Sequence, residues 1–233
     1  MNIYVLVEGR VTEMQVYAKW IPYLIPQLTQ VDHLSEVRDD NFYMFSGYGY
    51  PSILRRLAGT ICDINHHGNI DYLVICLDSE EESIEQRYKV IMRRMSILHE
   101  KLTSRTKIKI IVHHRCIETW FLGNRDLDKS NVSSNKLRQM IDDYNIFDRD
   151  PEKLLANRRI LECTTSAQYH YSYLKHLFNE NHISYTKKNP GRTISRAYLK
   201  QLIRRNQETG HLPSFAHFVR FCNKIKGEII EAQ

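Results

Sequence analysis

The chain has 233 residues, 26% of them charged, five cysteines and a formal net charge of +6. A chain of this size buries roughly 70–75% of its unfolded surface and needs no staple. Cys62, Cys76, Cys116, Cys163 and Cys222 form no C-x-x-C pair, which argues against a disulfide framework or a structural zinc site and predicts a reducing compartment.

In chain order, Ile3–Val7 (IYVLV) is a short apolar run ending in Glu8–Gly9. It predicts a buried strand that delivers an acid into a turn. Thr12 is the expected N-cap of a helix running through Trp20 and Leu24 and stopping near Pro26. Phe42–Phe45 is a second strand, followed by the Gly47–Tyr48–Gly49 turn and a helix that Pro51 opens, with Ile53, Leu54, Leu57 and Ile61 at helical spacing. Tyr72–Leu77 (YLVICL) predicts another buried strand, ending in Asp78–Ser79–Glu80–Glu81–Glu82. Ile84, Tyr88, Ile91, Met95, Leu98 and Leu102 then recur at steps of three and four, the pattern of an amphipathic helix of about five turns. Ile108–Val112 is a further strand, leading to His113–His114–Arg115 and Cys116–Leu122. Strands alternating with helices indicate an α/β fold with a mostly parallel sheet and helices on both faces. Ligands of such sheets bind at the carboxyl ends of the strands, where Glu8 and Asp78 fall.

Beyond Gly123 the pattern becomes helical, with helices expected over Ser134–Tyr144, Ala167–Asn179, Thr193–Asn206 and Pro213–Lys226, and a polar loop over Gly123–Ser133. The expected organisation is a metal-binding α/β domain over 1–125 and a helical, basic region over 126–233 that completes or extends it. Charge is divided unevenly: from Pro151 onward 14 Lys/Arg face 6 Asp/Glu, a balance of +8, whereas residues 1–150 carry −2. A basic region beside an acidic site suits a polyanion held over bound metal; the alternative is an excess that only keeps the protein soluble. No apolar run approaches the roughly 18–20 residues of a bilayer span, and no basic segment precedes an apolar stretch at the start. The expectation is a soluble, cytoplasmic protein with no membrane partner.

Three motifs carry a family resemblance. Val7–Glu8–Gly9–Arg10–Val11–Thr12–Glu13 resembles the V-E-G-x-x-x-E signature that opens Toprim domains of the OLD-like nuclease type. Leu77–Asp78–Ser79–Glu80 looks like the second Toprim motif, and Ile117–Glu118–Thr119–Trp120–Phe121–Leu122 resembles the I-E-x-W-h-L element of small stand-alone Toprim-like proteins of anti-phage systems. Together they cover about residues 1–125. The resemblance implies a Toprim-like fold and Mg²⁺- or Mn²⁺-dependent cleavage of phosphodiester bonds in DNA or RNA. It also implies a defence effector working with an ATPase partner. Glu8 would be a metal ligand or general acid/base, and Glu13, Asp78 and Glu80 would be ligands. The sequence departs from the family at one point: the usual Asp-x-Asp is Asp78-x-Glu80, one methylene longer.

Physical chemistry gives the same residues a reason. Carboxylates converging at strand ends repel one another, and a hard cation that prefers oxygen ligands relieves the repulsion. The structural alternative is that Glu8 caps a turn and Asp78–Glu82 is an acidic helix start, a reading favoured for Glu81 and Glu82. Glu118, among apolar neighbours, is either a second-layer residue of the metal site or the partner of Arg115 or another cation. Lys187 and Lys188, in a basic loop ending at Pro190–Gly191, are the expected counterparts of a lysine that assists the family's metal site. Arg192, Arg196, Lys200 and Arg204 recur every four residues and would form a cationic stripe for phosphates, or else a solvated face. His113 and His114 are read as structural, and no P-loop is present. A non-catalytic module that binds nucleic acid or a partner protein, with a vestigial acidic site, is the rival reading. The oligomeric state stays open, a homo-oligomer included.

Overall fold

The computed structural model describes residues 1–127 and 132–232, so part of the expected Gly123–Ser133 loop lies outside the described residues. Five parallel strands form one sheet in the order β2-β3-β1-β4-β5. They are β1 (Ile3–Val7), β2 (Thr29–Val31), β3 (Asn41–Ser46), β4 (Tyr72–Asp78) and β5 (Lys107–His113). The fold is α/β, as expected. Central β1 pairs with β3 on one side (Val7 opposite Ser46) and with β4 on the other (Val7 opposite Cys76). Strand order therefore reverses between β1 and β4. The short, largely exposed β2 was not foreseen, because three residues with polar Thr29 and Gln30 carry no periodic apolar signal.

The chain divides into two compact units: Met1–Leu77 with Ile84–Val112 and Phe218–Gln233, and Asp78–Ser83 with His113–His217. These interleave along the chain. In the first unit the alternating side chains of the sheet face two helical layers. Tyr4, Leu6, Leu73, Ile75 and Ile110 pack with α2 (Ser52–His67) and α3 (Ile84–Ser96). Val5, Val74 and Cys76 face α1 (Thr12–Leu24) and the middle of α8 (Pro213–Glu231) through Tyr17, Ile21, Phe218 and Phe221. Phe218 meets Tyr17 edge-on with ring centroids 5.2 Å apart. This aromatic packing is why the final helix joins the first unit.

Two boundaries differ from the sequence expectation for visible reasons. Val11, not Thr12, occupies the N-cap of α1, so Thr12 is already the first helical residue. Helix α3 ends at Ser96, before Leu98 and Leu102, because the Lys101 ammonium bonds the carbonyls of Met95, Ser96 and Leu98 and closes the last turn. Both leucines still pack on the core, which is what their spacing registered.

The second unit is helical: α4 (Ile117–Phe121), α5 (Asn135–Asp143), α6 (Ser166–Glu180), α7 (Arg196–Thr209) and the first turn of α8. Ser134, Thr165 and Ser195 cap α5, α6 and α7, each hydroxyl accepting a backbone N–H three residues on. Buried Arg205 donates to the carbonyls of Gly123 (3.1 Å) and Arg149 (2.8 Å) and also to that of Ile146. Burial lowers its pKa to about 10, so it remains a cation, held by these backbone carbonyls and by His211 Nδ1 3.3 Å from its Nε.

Candidate functional site

In the first unit, Glu8 follows β1 directly and its N–H continues the ladder by donating to the Cys76 carbonyl at 2.9 Å. Its own carbonyl accepts from Gly49, and Ser46 Oγ donates to the Gly9 carbonyl at 3.0 Å. The ends of β1 and β3 are thereby sewn together. Glu8 and Glu13 are both buried. Gly9 explains the third letter of the V-E-G signature: a Cβ at this position would lie 1.8 Å from Glu13 Oε2. The absent side chain is the space into which the Glu13 carboxylate fits. Sequence reasoning passed over a neighbouring feature. Tyr48, 48% exposed and in the left-handed backbone region, lies beneath two guanidinium groups, Arg10 at 4.9 Å and Arg56 at 5.0 Å. Only the Gly47–Tyr48–Gly49 turn signalled it, because the stacking depends on how that turn folds back against α2, which carries Arg56.

In the second unit, Asp78 is held by His113, whose Nδ1 donates to Asp78 Oδ1 at 2.6 Å while its fully buried ring meets Trp120 edge-on at 4.5 Å. Trp120 Nε1 donates to Ser214 Oγ at 2.7 Å, and that hydroxyl donates to Glu152 Oε1 at 2.6 Å. This gives the I-E-x-W-h-L element a physical meaning, since Trp120 is the wall that fixes the histidine orienting Asp78. His113 is thus structural in a specific sense, as the positioning partner of a predicted site acid. A carboxylate so bonded keeps its second oxygen directed, as second-layer partners do for metal ligands.

Glu80 and Arg115 both take left-handed backbone conformations, with φ of 53° and 64°. Each such non-glycine residue costs roughly 1–2 kcal/mol. They persist because they bond each other: Glu80 N donates to the Arg115 carbonyl and Arg115 Nη1 to the Glu80 carbonyl, both at 2.9 Å, while Arg115 N donates to Ser79 Oγ at 2.8 Å. Strain of this kind concentrates at functional sites. Glu81 points elsewhere: it accepts the Ser166 N–H and hydroxyl at the start of α6, which holds its carboxyl below the usual range despite partial burial. Residues 78–82 therefore precede α3 rather than open it.

Glu118, 2% exposed, accepts from the Tyr185 hydroxyl at 3.0 Å, and Lys187 Nζ lies 4.0 Å from it. The cation paired with Glu118 is thus Lys187, while Arg115 is committed to the Glu80 turn. Lys188 is exposed in the same turn, between Thr186 and Asn189. The basic stripe is shorter than expected. Arg192 lies in a 3-10 turn, Gly191–Ile194, ahead of the Ser195 cap, and so is off the helix. Arg196, Lys200 and Arg204 remain on the exposed face of α7, and Arg204 bonds Glu208 at 2.7 Å.

Among the described residues, no three His, Cys, Asp or Glu side chains are grouped as ligands of one ion. The donors fit a hard cation by type, since all four candidates are carboxylates and Gly9 makes room for one of them. Among the described residues no helix is long and apolar enough to cross a membrane. No family model matches the chain, and neither curated proteins nor solved structures yield a match.

Proposed function

We propose that the protein is a divalent-metal-dependent nuclease, cleaving phosphodiester bonds with carboxylates supplied by Glu8, Glu13, Asp78 and Glu80. The observation that carries this reading is topological. Glu8 follows β1 and Asp78 closes β4, the adjacent parallel strands between which strand order reverses. Open α/β sheets bind their ligands at that point. Mg²⁺ or Mn²⁺ would supply charge neutralisation at the phosphate and an activated water. The chain's own part is to orient: His113 fixes Asp78, and Lys187 or Lys188 offers a cation to the phosphate. Arg192, Arg196 and Lys200 hold the strand. An ATPase partner and a role in anti-phage defence follow from the motif resemblance alone and belong to the same proposal.

The rival reading is a nucleic-acid- or partner-binding module with a vestigial site. One experiment separates them: plasmid, single-stranded DNA and transfer RNA incubated with and without Mn²⁺. Cleavage is expected in the wild type, absent in Glu8→Gln and retained in part by Glu80→Asp. Binding without metal-dependent cleavage, with the partner ATPase present, gives the rival reading.

A further inference from the structure

The second unit contains a cleft of about 560 Å³ that has no part in the acidic strand ends. Its walls carry Arg149, Lys153, Arg158 and Arg159, and its apolar surface comes from Leu155 and Ala156. One acid, Asp143, lines it, and that carboxylate accepts the Asn157 side-chain amide at 2.8 Å. The Arg149 guanidinium sits over the Tyr144 ring, 3.8 Å from its centroid. Among the described residues Lys153, Arg158 and Arg159 have no ion pair with a carboxylate, and all three are exposed.

Four cations around one cavity repel one another, and neither Asp143, engaged by Asn157, nor Glu81, which is bonded to Ser166 and of the four feels only Arg158, balances them. An anionic ligand does. Arg presents paired N–H donors that match phosphate oxygens in a bidentate fashion, and Lys adds a point charge. The volume falls within the usual range of small-ligand sites, roughly 300–1,000 Å³. Leu155, 70% exposed at the edge of this cationic wall, provides an apolar face against which a flat base can lie. The loop bearing it is anchored rather than loose: Ile160 N and Leu161 N donate to the Asn157 carbonyl, and Lys136 bonds the Ile160 carbonyl.

We infer that this cleft is a nucleotide-phosphate site, with phosphates against the Arg/Lys wall and the base against Leu155 and Ala156. The same chemistry is offered by a free nucleoside triphosphate and by a 5′-phosphorylated nucleic-acid end. The site is separate from the proposed nuclease chemistry and is tested with divalent metal chelated.

The experiment is calorimetric titration of the full chain in EDTA with ATP, tripolyphosphate, adenosine and a tetranucleotide with or without its 5′-phosphate. Saturable binding of ATP or of the 5′-phosphorylated tetranucleotide is expected, and whichever binds tighter names the source. Adenosine and the unphosphorylated tetranucleotide should bind at least tenfold more weakly. The Arg158→Gln/Arg159→Gln variant should lose at least tenfold, with Lys153→Gln as a check from another part of the wall. Thermal melting should stay unchanged in both, since these side chains are exposed. Absence of saturable binding by either phosphorylated probe overturns the site. So does equal affinity for tripolyphosphate and ATP, or affinity unchanged in both variants.

Discussion

Gly9 is the residue at which backbone and chemistry are most tightly joined. A Cβ there would overlap the Glu13 carboxylate, with all three of its outer atoms between 1.8 and 2.5 Å away. That carboxylate is the far end of a flexible side chain, so Gly9→Ala should be absorbed by moving Glu13 rather than by unfolding. The expected result is a melting temperature within a few degrees of wild type together with metal-dependent cleavage reduced on the order of 100-fold, the cost of misplacing a catalytic group by about 1 Å. Cleavage unchanged in Gly9→Ala would remove Glu13 from the site. His113 teaches a different lesson. Adjacent histidines give no ligand spacing, so nothing along the chain distinguishes His113 from His114. Only the packing of Trp120 and the 2.6 Å bond to Asp78 do so. Glu8 and Asp78 stood out because each stands at the end of a run of buried strand residues. The partners of Asp78 and Glu80 did not, because His113 and Arg115 each lie 35 positions further along the chain.

Helix termini show how much local chemistry the sequence displays, and where it stops. Ser134, Thr165 and Ser195 are side-chain caps at or next to the starts they control, yet the start of α7 was placed three residues early and Arg192 wrongly drawn into its stripe. Four-residue spacing continues through Arg192 by coincidence, while the 3-10 turn ends at a Ser195 whose extended backbone breaks the helix. The start of α8 is governed from a distance: Asp150 accepts the Leu212 N–H and Glu152 the Ser214 N–H, both at 3.0 Å, so two acidic side chains satisfy N–H groups at the start of the helix. Burial is the largest influence on Glu152 and pushes its pKa up to about 7, against the bonds from Ser214. The sign follows. The native state keeps this proton after the unfolded chain, near 4.5, has lost it. The contribution of Glu152 to stability is therefore fully present below pH 4.5 and is lost as pH rises toward 7, amounting to roughly 3 kcal/mol. Denaturant unfolding of wild type and Glu152→Gln at several pH values should show the wild type losing about that much relative to the variant between pH 4.5 and 8. A constant difference would mean Glu152 titrates normally. His170, kept neutral by burial with a pKa of about 4, acts in the opposite direction and cancels in the comparison.

For the molecule as a whole, the strand–helix alternation made the α/β class legible, but the interleaved units were not. Which unit the last helix joins depends on Phe218 and Phe221 finding a sheet face more than 140 residues earlier. Arg205 is the corresponding hidden element of the second unit, indistinguishable from Arg204 in the sequence, yet buried against backbone carbonyls. Arg205→Met fills the volume but leaves those carbonyls without their donor, so a loss of roughly 3 kcal/mol in unfolding free energy is expected; a neutral effect would show that water replaces the guanidinium. The last whole-molecule property is charge. Residues from Pro151 onward carry +8 while the rest of the chain carries −2. On the exposed face of α7, Arg204 is bonded to Glu208, whereas among the described residues Arg196 and Lys200 form no ion pair with a carboxylate. If this face holds a nucleic-acid backbone, those two residues release the counterions and Arg204 contributes less. Replacing Arg196 and Lys200 together with Gln should therefore lower the magnitude of the slope of log affinity against log salt by roughly 1.4 for single strands and 1.8 for duplex. Affinity should fall alike across unrelated sequences, since phosphate contacts carry no sequence information. A double variant with unchanged slope and affinity would place the binding surface elsewhere. The two guanidinium groups over Tyr48 would then become the next cations to neutralise, and the same salt titration on Arg10→Gln/Arg56→Gln would decide it.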